Sequence, residues 1–324
     1  MKNSLADKVH GSLLGLAIGD ALGAPVEGWS AEQIQRKHGW VDDFLIEQPV
    51  GTDDTEFAML TAQLLVKYGD ALRPEDVRNE WKELIDLGVL YGGGFSEAAA
   101  ILNLKKGYAP PLTGLRNPEM WSDGTAMRVA PIGIYCAGDP EKAARLAAID
   151  GEISHSKDGI FSAQAVAASV SIAMVNSNVD AVLQAGMAAI PQDCWTSRIL
   201  DRALDLATGS SSLQDAARRL HDQLSIHAYY WVDVGPEAVA LAFGSLAAAK
   251  GVYKDSVVCS VNCGRDADTI AAISGGISGA MHGLAAIPQQ WVDRIGTVRG
   301  KCIGSLAGVD IRSIAAQLVD CIRR

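Results

Sequence analysis

Two short acidic stretches hold the residues best suited to chemistry in this sequence. The first, GTDDTE, places Asp53 and Asp54 side by side before an apolar run. The second, GRDADTI, places Asp266 and Asp268 before a segment of small apolar residues. Buried carboxylates are costly unless they are paired or bind cations. If the two stretches meet in space, their four aspartates cannot all stay ionised without cations.

Oxygen donors alone predict a hard divalent cation. The hydroxyls of Thr52 and Thr269 flank the aspartates, and no histidine or cysteine belongs to either pattern. Such donors favour Mg²⁺, with Mn²⁺ as a possible substitute. Four carboxylates suit two ions about 3.5–4 Å apart better than one. The sequence therefore predicts a binuclear magnesium site, on the condition that the two stretches converge.

Simpler explanations exist for each stretch. Thr52 or Asp53 could cap the helix that follows, and acids in a first turn interact favourably with the helix dipole. Arg265 could neutralise one of the aspartates that follow it. Neither explanation accounts for four converging aspartates. Cys259 and Cys263 lie four residues apart and could bind a metal, but no further thiol or histidine pair joins them.

The elements that must position these stretches are helices. Apolar residues recur at helical spacing along the chain, and the best extended candidate is HAYYWVDVG at 227–235. Glycine and alanine are abundant inside the helical segments, which is tolerated where another backbone comes very close. We predict one compact all-α domain over residues 1–324, with tightly crossed helices. The predicted helices are 5–19, 54–68, 75–87, 95–106, 140–149, 158–176, 179–188, 197–206, 211–222, 236–250, 255–261, 267–284 and 309–322.

Composition excludes several classes of partner. The 324 residues include 28 basic and 38 acidic side chains and no basic stripe, so we expect no nucleic-acid partner. No apolar run reaches the ~18 residues that a membrane span needs, so we expect no membrane partner. Six cysteines without a C-x-x-C pair predict buried thiols in a cytoplasmic protein. An N-terminal signal peptide is the alternative, although Asp7 and Asp20 interrupt its apolar stretch.

Four motifs in order resemble the ADP-ribosylglycohydrolase family over most of the chain. They are GSLLGLAIGDALGAPVEG, TDDT, SDGTAMRVAPIG and the C-terminal VNCGRDADTIAAISGGISGAMHGLAAIPQQW. The resemblance implies an orthogonal all-α bundle with a binuclear magnesium site. It also implies cleavage of an N- or O-glycosidic bond at ribose C1. The metal ligands that it implies are Thr52, Asp53, Asp54, Asp266, Asp268 and Thr269.

The resemblance further implies roles around the metals. Glu27 matches a loop glutamate that would orient the nucleophile or carry a proton, and Asp53 and Asp268 would share the catalytic role as metal ligands. Asp20 would orient a ligand or a water from behind. A surface glutamate and a helix-end acid without a role are the alternatives for Glu27 and Asp20. The diphosphate and distal ribose would lie against Asp123, Gly124, Thr125, Met127 and Arg128, with His155 nearby.

These substrate contacts also have structural alternatives. Arg128 could bind a phosphate with two N–H groups, or it could be a structural arginine that pairs with Asp123. Gly124 and Thr125 could expose N–H groups to an anion or form a plain turn. The aromatic cluster of Tyr229, Tyr230 and Trp231 could stack on a base or pack in the core or at a rim.

The sequence departs from the family pattern around the pocket, and this leaves the substrate open. Gly51 replaces a usual tryptophan, and Arg265 stands between Gly264 and Asp266 where the family has Gly-Gly-Asp-x-Asp. The segment SDGT replaces an Asn-Gly-Ser type, and the YGGGF loop lacks the pattern expected of arginine-specific members. None of these departures removes a predicted metal ligand.

Three functions follow from these observations. The first is an Mg²⁺-dependent hydrolase acting on an ADP-ribosylated side chain or a small ADP-ribose conjugate. The second keeps the metal site and acts on nucleosides or other small N-ribosides. The third is a non-catalytic binding or structural relative, whose signature would be the loss of metal ligands.

Overall fold

A computed structural model describes residues 4–322, and it confirms the predicted all-α class. Over these residues the chain forms seventeen α-helices, and its only β-pairing consists of isolated bridges. The helices are α1 Leu5–Gly23, α2 Ala31–His38, α3 Asp53–Tyr68, α4 Pro74–Asp86, α5 Phe95–Lys105, α6 Leu112–Leu115, α7 Ala130–Tyr135, α8 Pro140–Gly151, α9 Asp158–Ala173, α10 Val179–Ala188, α11 Trp195–Thr208, α12 Leu213–Leu224, α13 Gly235–Ala248, α14 Tyr253–Cys263, α15 Ala267–His282, α16 Gln289–Val292 and α17 Ile311–Ile322.

All thirteen helices predicted from periodicity are present. The four that the sequence analysis missed are α2, α6, α7 and α16, which are eight residues long or shorter. Such segments hold too few turns to show an apolar repeat. The extended candidate at 227–235 is a bent loop whose single bridge joins Val234 to Ser122.

The centre of the fold is the contact between α1 and α15, where the two backbones touch. Glycines recur every fourth residue along α1, and a Cβ added to Gly19 would lie 2.1 Å from the Ala271 carbonyl oxygen. A Cβ added to Gly279 would lie equally close, 2.1 Å, to the carbonyl oxygen of Gly11. The predicted close approach of small-faced helices is therefore present. It sets the last turn of α1 against the first turn of α15.

Helix α1 also qualifies as a membrane span by length and hydropathy alone, which the sequence analysis did not expect. The qualifying segment is Leu5–Val26, with a mean hydropathy of 1.3. Of its most apolar window, 83% is buried inside the protein. The apolar character of α1 is thus accounted for by its place in the core.

Glu56, the third acid of GTDDTE, hydrogen-bonds residues 301–303 to the start of α3. Its Oε1 accepts a hydrogen bond from the Lys301 N–H (2.8 Å). Its Oε2 accepts from the N–H groups of Cys302 (2.8 Å) and Ile303 (2.7 Å). The Tyr91 N–H donates in turn to the Cys302 carbonyl (2.8 Å). Glu56 therefore has a structural role, and it places the glycine loop after Tyr91 beside the start of α3.

The contact between α1 and α15 leads to a prediction about stability. Gly19→Ala should lower the free energy of unfolding by about 1–3 kcal/mol, because the new methyl group overpacks a backbone contact. Gly276→Ala is the matched control on α15, since its Cβ would meet its nearest neighbour, the Ala130 Cβ, at 3.5 Å. Chemical denaturation measures both variants. Equal free energies of unfolding for the two variants would contradict the close packing of α1 against α15.

Candidate metal centre and active-site cleft

The two acidic stretches meet, as the sequence analysis required. The Thr52 hydroxyl lies 3.4 Å from Asp54 Oδ2 in its own stretch and 3.5 Å from Asp268 Oδ2 in the other. It donates its shortest hydrogen bond, 2.8 Å, to Asp20 at the end of α1. Thr269, the first threonine of α15, bonds to Asp54 through its side chain. The starts of α3 and α15 and the end of α1 therefore share one buried acidic site.

The carboxylates form two groups that share one member. Oxygens of Asp20, Asp54 and Asp268 lie within 4.8 Å of one another, and so do oxygens of Glu27, Asp266 and Asp268. The buried Oδ1 atoms of Asp54 and Asp268 have no hydrogen-bond partner. Unpartnered anionic oxygens at such spacing fit hard divalent cations. Asp268 is placed to contact a cation in either group.

Burial is the largest influence on the pKa values of the carboxyl groups in this site. It raises the pKa of Asp20 to about 7, even though the side chains of Thr55 and Thr52 donate hydrogen bonds to it. Burial, followed by the charges of neighbouring carboxylates, raises the pKa of Asp54, Asp266 and Asp268 well above the ordinary value. Without cations, protons must therefore neutralise part of the cluster.

Asp20 acts as the anchor of the first acidic stretch. Its oxygens accept the N–H of Thr52 at 2.7 and 2.9 Å and the N–H of Thr55 at 3.0 Å, and both threonine hydroxyls also donate to it. The helix-end acid without a role, considered above, is therefore excluded.

Asp53 and Glu27 line the cleft at its outer side. Asp53 lies outside both carboxylate groups and accepts a hydrogen bond from the Gly94 backbone. A Cβ on Gly93 would lie 2.5 Å from Asp53 Oδ2, so the glycine loop packs directly against this side chain. Glu27 is exposed at the mouth. Desolvation by the surrounding protein and the charges of Asp53 and Asp233 raise its pKa.

Arg128 is buried and fully engaged by the protein. Its Nε donates to Asp150 (2.8 Å), and one terminal nitrogen donates to Glu97 and to the Gly124 carbonyl, both at 3.1 Å. The other terminal nitrogen donates at 3.2 Å to the Asp150 carbonyl and to the Ser154 hydroxyl. These five bonds use all five guanidinium N–H groups. The geometry favours the structural alternative for Arg128 over a bidentate phosphate contact.

Two predicted salt bridges are wrong. Arg128 pairs with Glu97 and Asp150, at 3.1 and 2.8 Å, rather than with Asp123. Arg265 pairs with Glu237 (2.6 Å) rather than with either metal-site aspartate. The reason is the backbone: Arg265 has φ +63° and directs its side chain away from the residues that follow it.

The rest of the SDGTAMR segment lines or backs the cleft. Gly124 and Met127 line it, and Thr125 lies buried behind them. His155 is buried between two serine hydroxyls, with its Nε2 2.9 Å from the Ser122 oxygen, and burial lowers its pKa well below the usual value. His155 therefore reaches the cleft only through Ser122. Its predicted substrate contact, and those of Asp123, Gly124, Thr125 and Met127, remain predictions.

Two cleft carboxylates were not found from the sequence. Glu97 and Asp233 line the same cleft as the predicted metal ligands, and burial raises their pKa to about 7 and about 6. Glu97 lies in the first turn of α5 after a glycine-rich loop, and Asp233 follows an aromatic-rich loop and precedes α13. Ordinary helix capping also places acids at such positions. The cleft measures about 70 Å³ and has no lysine, arginine or histidine in its lining. A larger cavity of about 900 Å³ between α2 and α12 contains none of the predicted site residues.

In the aromatic cluster, Tyr229 is packed against another ring, whereas Tyr230 and Trp231 are exposed. The Tyr229 ring packs against Trp121, with ring centroids 5.0 Å apart. Tyr230 and Trp231 contact each other and are 85% and 55% exposed. Core packing is therefore wrong for these two residues, which lie at the protein surface.

The fold and the paired carboxylate groups match one protein family. A family profile described as ADP-ribosylglycohydrolase matches residues 1–323, so the chain belongs to this family and is a glycosidase. A protein of unassigned function from Archaeoglobus fulgidus is 32% identical over 89% of this chain and 92% of its own length. The ADP-ribosyl-[dinitrogen reductase] glycohydrolase of Rhodospirillum rubrum is 24% identical over 90% of this chain and 91% of its own.

A solved structure shares the fold. It is titled an ADP-ribosylglycohydrolase-related protein complex and has a TM-score of 0.66 at 23% identity. The match covers 98% of this chain and 99% of that one.

The raised carboxyl pKa values predict how pH and Mg²⁺ act on stability. A folded-state pKa above the unfolded value stabilises the protein at low pH, and this contribution is lost as the pH rises. For Asp20 this stabilisation is lost between about pH 4, the ordinary pKa of an aspartate, and about pH 7, its pKa in the folded protein. Mg²⁺ should replace the protons, so it should raise Tm more at pH 8 than at pH 5. Scanning fluorimetry with and without Mg²⁺ tests this, with Asp54→Asn reducing the effect.

The matched control is Asp201→Asn, which removes an exposed acid on α11. It should keep the full response to Mg²⁺. If Mg²⁺ leaves the Tm of the wild-type protein unchanged at pH 8, the cluster does not bind the ion.

Proposed function

We propose that this chain is an Mg²⁺-dependent hydrolase that uses two metal ions to cleave the bond at ribose C1 of an ADP-ribose conjugate. The conjugate is an ADP-ribosylated protein side chain or a small molecule, joined through nitrogen or oxygen. Family membership supports the reaction class. The single observation that carries the two-ion site is the sharing of Asp268 by two groups of three carboxylates.

The residues that would hold the ions follow from these groups. Asp54, Asp266 and Asp268 supply buried oxygens, and Thr52, Asp53 and Thr269 lie at the same helix starts. When bound, two Mg²⁺ ions neutralise the carboxylates, supply Lewis acidity at the ribose and activate water. Asp20, the third member of the group with Asp54 and Asp268, also holds Thr52 and Thr55 in place through bonds of 2.5–3.0 Å.

Glu27 is the residue placed to move a proton. Hydrolysis adds the oxygen of water to C1 while the bond from C1 to the leaving atom breaks, through an oxocarbenium-like state. Glu27 accepts the proton that the water loses and returns it to the leaving nitrogen or oxygen. Its exposure at the mouth, close to Asp266 and Asp268, gives it access to both partners. Its pKa is raised by burial and by the charges of Asp53 and Asp233, which makes its carboxylate a stronger proton acceptor than an ordinary glutamate.

The size of the cleft determines how such a substrate would lie. About 70 Å³ accommodates the reacting end of a ribose and not a whole nucleotide. The base would therefore lie outside the cleft, and the exposed rings of Tyr230 and Trp231, close in sequence to the cleft residue Asp233, could stack on it. Backbone N–H groups of Gly124 and Thr125 would hold the diphosphate, because Arg128 has none free.

A second candidate function has its own support. The cleft lining has no basic side chain, and it includes Glu97, Asp123 and Asp233 in addition to the metal-site acids. Such a wall favours an uncharged riboside over one with a diphosphate, unless cations screen it. The alternative is thus a dimetal hydrolase of nucleosides or other small N-ribosides.

A panel assay separates these functions. With Mg²⁺, the protein should release ADP-ribose from ADP-ribosyl-arginine or ADP-ribosyl-serine. Cleavage restricted to ribosides without a diphosphate would establish the second candidate instead. Asp268→Ala should lower kcat by more than the about 10–100-fold that loss of an outer-shell partner causes, whereas Asp201→Asn should leave it unchanged. Unaltered turnover in Asp268→Ala would remove the catalytic assignment and favour a non-catalytic relative.

A further inference from the structure

The cavity of about 900 Å³ between α2 and α12 is separate from the acidic cleft, because among residues 4–322 the two share no lining residue. Pockets that bind small molecules have about this volume and combine an apolar lining with a few placed polar groups. The covered part of this lining includes Ala217, Asn262, His221 and the half-buried Trp40. Asn262 already bonds to backbone groups of the protein through both ends of its amide. His221 is therefore the buried polar group that remains for a ligand.

The hydrogen bonds of the His221 ring leave an acceptor directed at a ligand. Only 6% of His221 is exposed, and its Nδ1 lies 2.8 Å from the Cys263 carbonyl oxygen and 3.4 Å from the Ser225 hydroxyl. A carbonyl oxygen can only accept, so Nδ1 carries the proton. Burial lowers the pKa of His221, so the ring is uncharged at neutral pH. Nε2 then has a lone pair, and a ligand that satisfies it must supply an N–H or O–H donor.

The charges around the cavity favour an uncharged ligand. Arg218 bonds to Asp215 at 3.2 Å, and Arg36 lies 4.0 Å from Glu32. Asp222 adds a third acid to the same lining. Each arginine of the described lining thus has an acid beside it, and the acids outnumber the arginines. A phosphate group would meet net negative charge here, which opposes its binding.

We propose that this cavity binds an uncharged nucleoside, with the base against Trp40 and an N–H of the base donating to His221 Nε2. A planar base offers a face to the indole and N–H donors at its edge. The sugar hydroxyls both donate and accept hydrogen bonds, as do the exposed amides of Gln35 and Gln214 at the cavity walls. The ligand class therefore follows from one aromatic ring, one buried acceptor and the charge of the lining.

A calorimetric titration of the Mg²⁺-loaded protein tests the site without turnover. The probe is carbocyclic adenosine, which has no ring oxygen and is not cleaved as a riboside. We expect it to bind, and we expect its derivative with a dimethylated amino group to bind about fivefold more weakly, the effect of one lost hydrogen bond. The derivative keeps the purine ring and has no N–H donor on the base. The 5′-phosphate of carbocyclic adenosine should also bind more weakly than the parent compound.

His221→Asn is the variant that isolates the proposed hydrogen bond. The asparagine amide can still donate to the Cys263 carbonyl, but it has no acceptor at the position of Nε2. In this variant the two nucleosides should bind with equal affinity. Trp231→Ala is the control for binding at the acidic cleft, and Asp201→Asn is the control for an exposed charge on α11. Both should keep the full affinity for carbocyclic adenosine.

Four results would overturn the proposal. They are the absence of binding, a difference between the two nucleosides that persists in His221→Asn, tighter binding of the 5′-phosphate, and binding that Trp231→Ala removes while His221→Asn keeps it. If His221→Asn fails to fold, Ala31→Leu decides instead. Ala31 is half-buried and lines the cavity, so a leucine there would occupy the space of the ligand. It should weaken carbocyclic adenosine by about fivefold or more, and full affinity in this variant would also overturn the site.

Discussion

The direct contact between the backbones of α1 and α15 is the constraint on which the site depends. Glycine every fourth residue on α1 allows an approach that a single methyl group would prevent, as at Gly19. Because the helices touch along their length, the end of one and the start of the other have little freedom to separate. Asp20 and Asp268 are therefore held in one group, and Asp20 in turn fixes the start of α3.

This rigidity explains how so much negative charge can be buried. A flexible site would relieve the repulsion by moving its carboxylates into water. Here the helix backbones hold them together, so neutralisation must come from protons, cations or both. The site is thus prepared for cations at a cost in stability that the large apolar core must offset. Preorganisation of this kind lets binding proceed without a rearrangement of the ligands.

Sequence reasoning succeeded where a residue pattern is compatible with only one structural arrangement. The helices followed from periodicity, and the cost of buried carboxylates showed what would follow if the two acidic stretches met, as they do at Thr52 and Asp268. It failed for contacts between side chains distant in sequence. Glu97 and Asp233 look like ordinary helix-start acids, and the charge of Arg128 alone does not reveal which carboxylate it faces. Only the packing of α5 and α8 around Arg128 decides that question.

The three hydrogen bonds that Glu56 accepts from 301–303 link the acidic start of α3 to a segment that follows every predicted metal ligand in the chain. During synthesis, residues 53 and 268 leave the ribosome before this segment does. A nascent chain that ends before residue 301 would hold every predicted metal ligand and still lack the three N–H groups that bond to the Glu56 carboxylate. Formation of the acidic site is thus coupled to the completion of a region that contains none of the predicted site residues.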